Sequence, residues 1–282
     1  MNLSYNMIKN NHRIALLLAT YNGERFLGDL LDSLYAQSIQ DWTLYVRDDC
    51  STDHTLNIIS EYKSRYNNIV IIDNKGINLK PKSNFMSILE QVESDFYMFV
   101  DQDDYWLPDK IKNEYEKIIS ITRGKDCPAL VFTNMKLVDE KLNILSDSFW
   151  KSIHFNPQIL QGLCEQAFIG YVTGCTMLFN KKAKEVSLPM APYSPMHDWW
   201  VSICVYKHQG VVGYIETPQI LYRKHGGNAT GDFVASQSGK SLSIRWKEML
   251  TQYRLVKACG CVKDPIEYLF TKISINKKRR RC

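Results

Sequence analysis

With 282 residues, 45% of them hydrophobic and 23% charged, the chain can bury a sizeable core, either as one large α/β domain or as a domain with an appendage. The net charge of +5 is mild and gathers at the end, in Lys277-Lys278-Arg279-Arg280-Arg281; no basic stripe with interleaved aromatics runs through the body, so nucleic acid is not an expected partner. Eight cysteines stand without paired metal-ligand spacing, residues 1–11 lack the apolar centre of a signal peptide, and no apolar run approaches the roughly 20 residues that span a bilayer. Free thiols and a cytoplasmic location are therefore expected, with the basic end able to attract anionic headgroups.

Strand and helix signals alternate through the first half. Residues 14–20 form a short apolar run ending in the turn Tyr21-Asn22-Gly23. From Glu24 onward, Phe26, Leu27, Leu30, Leu31 and Leu34 recur with helical spacing. A second strand over 42–46 ends at Arg47-Asp48-Asp49, and Ser51-Thr52-Asp53 offers caps for a helix carrying Leu56, Ile58, Ile59 and Tyr62. A third strand is predicted over 69–72 and a helix over 83–92. A fourth strand over 96–100 runs straight into Asp101-Gln102-Asp103-Asp104, and Pro108 marks the next helix start. Beyond about residue 125, shorter β-like stretches (129–138, 175–179, 211–215, 219–222) mix with helices and long loops, and a basic helical region begins near Ser241. Repeated strand–helix units predict an α/β fold with a mainly parallel, doubly wound, Rossmann-like sheet. A smaller second region and C-terminal helices would complete it.

Three polar loops then open on one edge of that sheet, the carboxyl edge where ligands bind in open α/β folds. Three carboxylates within Asp101-Gln102-Asp103-Asp104 would repel one another unless a hard divalent cation, Mg²⁺ or Mn²⁺, shared them with a phosphorylated substrate. Asp49 can accept the N3–H of a uracil or thymine ring. Asp53 reads as a helix cap, while Asp73 and Lys75 could either reach a nucleotide or form a plain turn. Later in the chain, Asp198 opens an apolar helix after the loop holding Pro189, Pro192 and Pro195, where it is either a general base or a cap. His197, Trp199 and Trp200 flank it, and aromatic rings suit sugar faces. Finally, Tyr222-Arg223-Lys224-His225-Gly226-Gly227-Asn228 is a basic, flexible loop able to close on a diphosphate.

Taken together, the Thr20-Tyr21-Asn22-Gly23 loop, the Asp48-Asp49-Cys50-Ser51-Thr52-Asp53 loop, Asp101-Gln102-Asp103-Asp104 with Pro108-Asp109-Lys110, and His197-Asp198-Trp199-Trp200 resemble the family 2 glycosyltransferases of the GT-A fold, over roughly residues 13 to 230. Cys50 departs from the Gly or small polar residue usual there. The resemblance implies a nucleotide-diphosphate sugar held by Thr20, Tyr21, Asn22, Glu24, Asp49, Asp101, Gln102, Asp103, Asp104 and Arg223, with Asp49 on the base. It implies a metal on Asp103 and Asp101, joined by His225, and Asp198 as the base of an inverting transfer. His197, Trp199, Trp200 and Gly174 would line the acceptor side. The Trp-Trp pair and the Tyr-Arg-x-His-Gly loop are similar to enzymes of bacterial surface polysaccharide synthesis, rhamnosyltransferases included. That implies a dTDP- or UDP-sugar and an undecaprenyl-diphosphate-linked saccharide at the cytoplasmic face of the inner membrane. The matching organisation is a GT-A domain over 1–235, with a nucleotide-sugar half at 12–125 and an acceptor half at 126–235, and a helical extension over 236–282.

Three other readings stay open on sequence, one of them a family member that binds sugars without catalysis. An aspartate-dependent phosphotransferase or phosphatase also carries Asp-x-Asp after a strand, though usually on the first strand and followed by a hydroxyl residue. A basic membrane- or nucleic-acid-binding module would rest on the tail alone.

Overall fold

The structure, a computed structural model, describes residues 8–9, 13–226 and 242–281. Its centre is a seven-stranded sheet in the order Val211–Ile215, Ala129–Thr133, Met177–Asn180, Phe96–Asp101, Ile14–Thr20, Trp42–Asp48, Ile69–Ile71. All pairings are parallel except those of Met177–Asn180, which runs antiparallel to both neighbours. The strands read as unbroken apolar runs because helices cover both faces: all of Trp42–Asp48 is buried, and all of Ile14–Thr20 except the partly buried Ala19. Helices Leu27–Tyr35, Thr55–Arg65, Lys80–Gln91 and Lys110–Thr122 fill the intervals between strands of the first half and beyond.

Strand order reverses between Ile14–Thr20 and Phe96–Asp101, which makes this pair the switch point where a crevice forms. Register pairs Ala19 with Asp101 and Thr20 with Asp48, so the three carboxyl-end loops open side by side. A second sheet of four strands (Ile144–Ser146, Lys136–Val138, Ile220–Arg223, Tyr105–Trp106) sits just past the acidic turn and carries Arg223.

Several boundaries differ from expectation. The second strand continues through Asp48, because Arg47 and Asp48 still pair with Ala19 and Thr20. The third helix starts at Lys80, with Pro81 in its first turn, rather than at Ser83. The stretch expected as one β-like run over 129–138 splits into strands of different sheets. Asn134 breaks it: its side-chain oxygen accepts the amides of Met135 and Trp150, turning the chain.

The halves expected at 12–125 and 126–235 share one sheet and one hydrophobic core that runs from Ile14 to Ile220. Helices Leu242–Ala258 and Pro265–Arg281 form a satellite core, in which Leu255, Val256, Val262, Tyr268 and Ile275 bury Ala167, Phe168 and Ile203. Among the described residues no helix is long and apolar enough to cross a membrane.

Candidate active site

The first two loops are bound to each other before any ligand is considered. Thr20 Oγ1 donates to Asp48 Oδ1 at 2.8 Å, and Asp48 also accepts from the Ser51 amide at 2.7 Å. The Asn22 amide donates to Ser51 Oγ and Asn22 Oδ1 accepts the Thr52 amide, both at 2.8 Å. Glu24 and Asp53 exchange bonds across the loops: the Glu24 amide reaches Asp53 Oδ2 at 3.0 Å, and Glu24 Oε2 accepts the His54 amide at 2.8 Å. Asp53, two residues before the helix that begins at Thr55, accepts the Thr55 amide at 3.0 Å, while His54 holds the cap position itself. Gln102 pairs both ways with the Tyr21 backbone, at 2.9 and 3.0 Å. A Cβ on Gly23 would come within 2.4 Å of Gln102 Oε1, so a larger residue there would push the Gln102 amide off the Tyr21 backbone. Thr20, Asn22, Glu24 and Gln102, expected on the donor, thus spend these polar groups on loop geometry; the Tyr21 ring, 48% exposed, stays open to solvent.

Asp49 is buried, with Arg47 against its Oδ1 at 3.0 Å and the Leu79 and Lys80 amides donating at 2.7 and 2.8 Å. Arg47 in turn donates to Asn84 and to the Asn74 and Ile77 carbonyls. One lone pair, on Oδ2, is left for a base N–H.

The acidic turn is the most strained electrostatic feature. Burial, then the charges of Asp103 and Asp198, push the Asp101 carboxyl up to about 7, against a smaller pull from the Cys175 thiol. Asp104 is fully buried, and among the described residues neither of its oxygens has a partner in hydrogen-bond geometry. Burial, then Asp103 and Asp101, drive its carboxyl well above the usual carboxylate range. Asp101, Asp104 and Cys175 bring ligand atoms within 4.8 Å of one another. Asp103 Oδ2 lies 2.7 Å from His225 Nε2, and the His225 ring packs on Phe26 at 4.9 Å.

Asp198 lies in the first turn of helix His197–Lys207. Its Oδ2 accepts the Gly174 amide at 2.8 Å and its Oδ1 accepts the Trp199 amide at 2.7 Å. The cap expected for Asp198 is thus present in part, and it also fixes the carboxylate toward Gly174. The acceptor-side residues divide by depth. His197 is buried between Phe85, stacked at 4.3 Å, and the edge of Phe99 at 4.6 Å; neither ring nitrogen has a partner among the described residues. Burial lowers its pKa, opposed by the Asp198 charge. Trp200 is a core residue, 8% exposed, donating Nε1–H to the Ser187 carbonyl. Neither is placed to touch a sugar, because one helical residue before and two after Asp198 turn inward. Trp199 is only partly buried and packs across Gly170, donating to the Gln166 carbonyl at 3.0 Å.

Arg223, expected on a phosphate, is instead buried at 1% exposure over the Phe26 ring. Its Nε donates to the Asp103 carbonyl at 3.0 Å, Nη2 to Asp29 at 2.8 Å, and Nη1 to the Glu140 carbonyl. The guanidinium braces the acidic turn from behind. Gly227, Asn228 and Cys282 lie outside the described residues.

A family model described as Glycosyl transferase family 2 matches residues 16–186, more than half of the chain and both donor-side loops with the acidic turn. The chain belongs to glycosyl transferase family 2. Its relatives include dTDP-rhamnosyl transferase RfbG of Shigella flexneri, 30% identical over 233 residues, which cover 76% of this chain and 73% of the relative. Poly(ribitol-phosphate) beta-N-acetylglucosaminyltransferase TarS of Staphylococcus aureus is 35% identical over 105 residues, 36% of this chain and only 18% of that protein. The solved structure of S. aureus TarS 1-349 in complex with UDP-GlcNAc matches with a TM-score of 0.62 at 19% identity, over 86% of this chain and 66% of that one. Mannosyltransferase PcManGT from Pyrobaculum calidifontis, in complex with GDP-Man and Mn2+, matches at 0.57 and 12% identity, over 98% and 85%. Such likeness bears on the fold, which is the GT-A type expected.

Several residues of this family 2 glycosyltransferase support the site in ways its sequence did not show. Cys175 follows Gly174 and looked like one scattered thiol among eight; only the antiparallel strand that begins at Met177 brings it to Asp101 and Asp104. Lys110 and Glu114, an i,i+4 pair that resembles a surface ion pair, are both fully buried behind the site, with Lys110 Nζ 4.3 Å from the Trp106 ring centre. Asp29 and Glu140 enter only because Arg223 reaches them from a distant strand.

Proposed function

We propose that this glycosyltransferase moves a sugar, with inversion, from a dTDP- or UDP-linked donor to a saccharide carried on a lipid diphosphate of the undecaprenyl type. The setting is bacterial surface polysaccharide synthesis at the cytoplasmic face of a membrane. The observation that carries this reading is that Asp198 accepts the amide of Gly174, the neighbour of Cys175, whose thiol clusters with the Asp101 and Asp104 carboxyls. One carboxylate leaves the central strand at the switch point and the other opens the acceptor-side helix, as a displacement with a base opposite the leaving group requires. Rhamnose is the favoured sugar, because the relative similar over most of its length is named a dTDP-rhamnosyl transferase.

A divalent cation fits these residues. Three carboxyl groups crowd one turn, and burial with mutual repulsion holds Asp101 and Asp104 above the usual carboxylate range, a conflict that a cation removes. Asp101 and Asp103 with His225 would hold Mg²⁺ or Mn²⁺, which supplies neutralisation of the charge on a departing nucleotide diphosphate. Asp198 accepts the acceptor hydroxyl's proton as that oxygen bonds to the anomeric carbon. Each of its oxygens keeps a lone pair beyond its amide partner. The Gly174 and Trp199 amides orient the carboxylate, and Arg223 fixes the backbone of Asp103.

The deciding experiment is thermal stability with Mn²⁺ or Mg²⁺ against UDP, dTDP, GDP, ADP and CDP, repeated with Asp103→Ala. A ligand that binds only the folded state raises its melting temperature. A metal-dependent rise with UDP or dTDP alone, lost in Asp103→Ala, is the expected result. No rise with any nucleotide would remove the donor-site reading.

A further inference from the structure

Helix Pro265–Arg281 is apolar on two sides. Its inner side buries Tyr268 and Ile275 in the satellite core. On its outer side Ile266, Leu269, Phe270 and Ile273 are 68%, 50%, 69% and 52% exposed. Their i, i+3, i+4, i+7 spacing puts them on one stripe, and the exposed Lys277 continues it a turn further. The helix closes with Lys277-Lys278-Arg279-Arg280-Arg281, the densest run of positive charge in the chain.

We propose that this stripe seats in the surface of an anionic lipid bilayer, with the basic end on the headgroup phosphates. Charge decides the occupant. Anionic lipid offers apolar depth beside negative charge, which is what an apolar stripe ending in a basic run complements. The two signals also need each other, since a single weak anchor gives only marginal membrane binding. Position agrees: the inner side of this helix shares a core with Phe168 and with Ile203 of helix His197–Lys207, whose first turn carries Asp198. Docking by the stripe therefore brings the acceptor half toward lipid. The inference deepens the reading of a lipid-borne acceptor, but its test needs neither donor nor acceptor.

The test is co-sedimentation of the full chain with phosphatidylcholine vesicles, with and without phosphatidylglycerol. The wild type should bind the anionic vesicles, less so at high salt. Leu269→Ser with Phe270→Ser should weaken binding by about tenfold or more, the loss of two buried apolar side chains, with the melting temperature unchanged. A Phe270→Trp chain should gain an emission component, over the wild-type spectrum, that shifts to the blue on anionic vesicles. Absence of wild-type binding, equal binding by the double variant, or no such shift in the Phe270→Trp chain would each overturn the proposal. So would a concentration-dependent dimer that the same double substitution dissolves without any vesicle binding, which would assign the stripe to a second copy. A donor-site failure in the nucleotide experiment leaves vesicle binding unaffected, so the two readings fail separately.

Discussion

Asp198 shows how one side chain can serve as a cap and still be a candidate base. Its two oxygens each take one backbone amide, from Gly174 and Trp199, and both amides are donors. Asn at this position would turn an NH₂ toward one of them and lose that bond, besides losing the basic oxygen. Asp198→Asn should leave donor binding near normal and lower transfer by about 10²–10⁴-fold, measured as kcat with a saturating donor. Near-normal transfer would reduce Asp198 to a cap. Asp101 makes a prediction in pH. Its folded-state pKa of about 7 lies above its ordinary value of 3.8, so between those values the folded state holds a proton that the unfolded chain has released. Stability without divalent cation should therefore be greatest in acid and fall as pH rises from about 4 to 7, then level off. Asp101→Asn should flatten that limb of a melting-temperature profile. A profile equally steep in the variant would assign the slope to other groups.

At the scale of elements, the first turn of helix His197–Lys207 is positioned by what packs on it. Gly170 ends helix Leu163–Ile169 at φ +64°, and a Cβ there would sit 2.4 Å from the Trp199 ring. Both the backbone and the contact demand glycine. Gly170→Ala should destabilise the fold by about 2–4 kcal/mol, the sum of left-handed backbone strain and overpacking. Because Trp199 adjoins Asp198, transfer should fall more than the population of folded enzyme does. A melting curve and a specific activity on the same sample check both. The donor-side loops follow the same logic: Asn22, Glu24, Asp53 and Gln102 tie the loops to one another, so the site is pre-formed by polar contacts between elements adjacent only in the sheet.

For the whole molecule, the switch point at the centre of a seven-stranded sheet gathers loops far apart in the chain into one crevice, Tyr21 meeting Gln102 and Cys175 meeting Asp101 and Asp104. The first-half strands were legible because the central ones are buried on both faces and so read as unbroken apolar runs. The bounds of Ile14–Thr20 matched the sequence reading at both ends. Sheet order was less legible. Met177–Asn180 enters antiparallel between two strands of the opposite direction, and nothing local in Met177-Leu178-Phe179 distinguishes such a strand from a parallel one. Docking of the C-terminal helices on Phe168 and Ile203 was equally silent, since Tyr268 and Leu269 look alike until a partner covers one.

By itself the sequence determined the alternation of strands and helices, the placing of three polar loops at one sheet edge, and the carboxylates that mark the family. These follow from local patterning and from where a strand must end. Only the tertiary structure decided which polar residues face the crevice and which hold it open. Arg223 and Trp200 turned inward, His197 was sealed between two phenylalanine rings, and Cys175 arrived beside Asp101. Burial and pairing are properties of neighbours brought together by the fold, and no spacing along the chain encodes them.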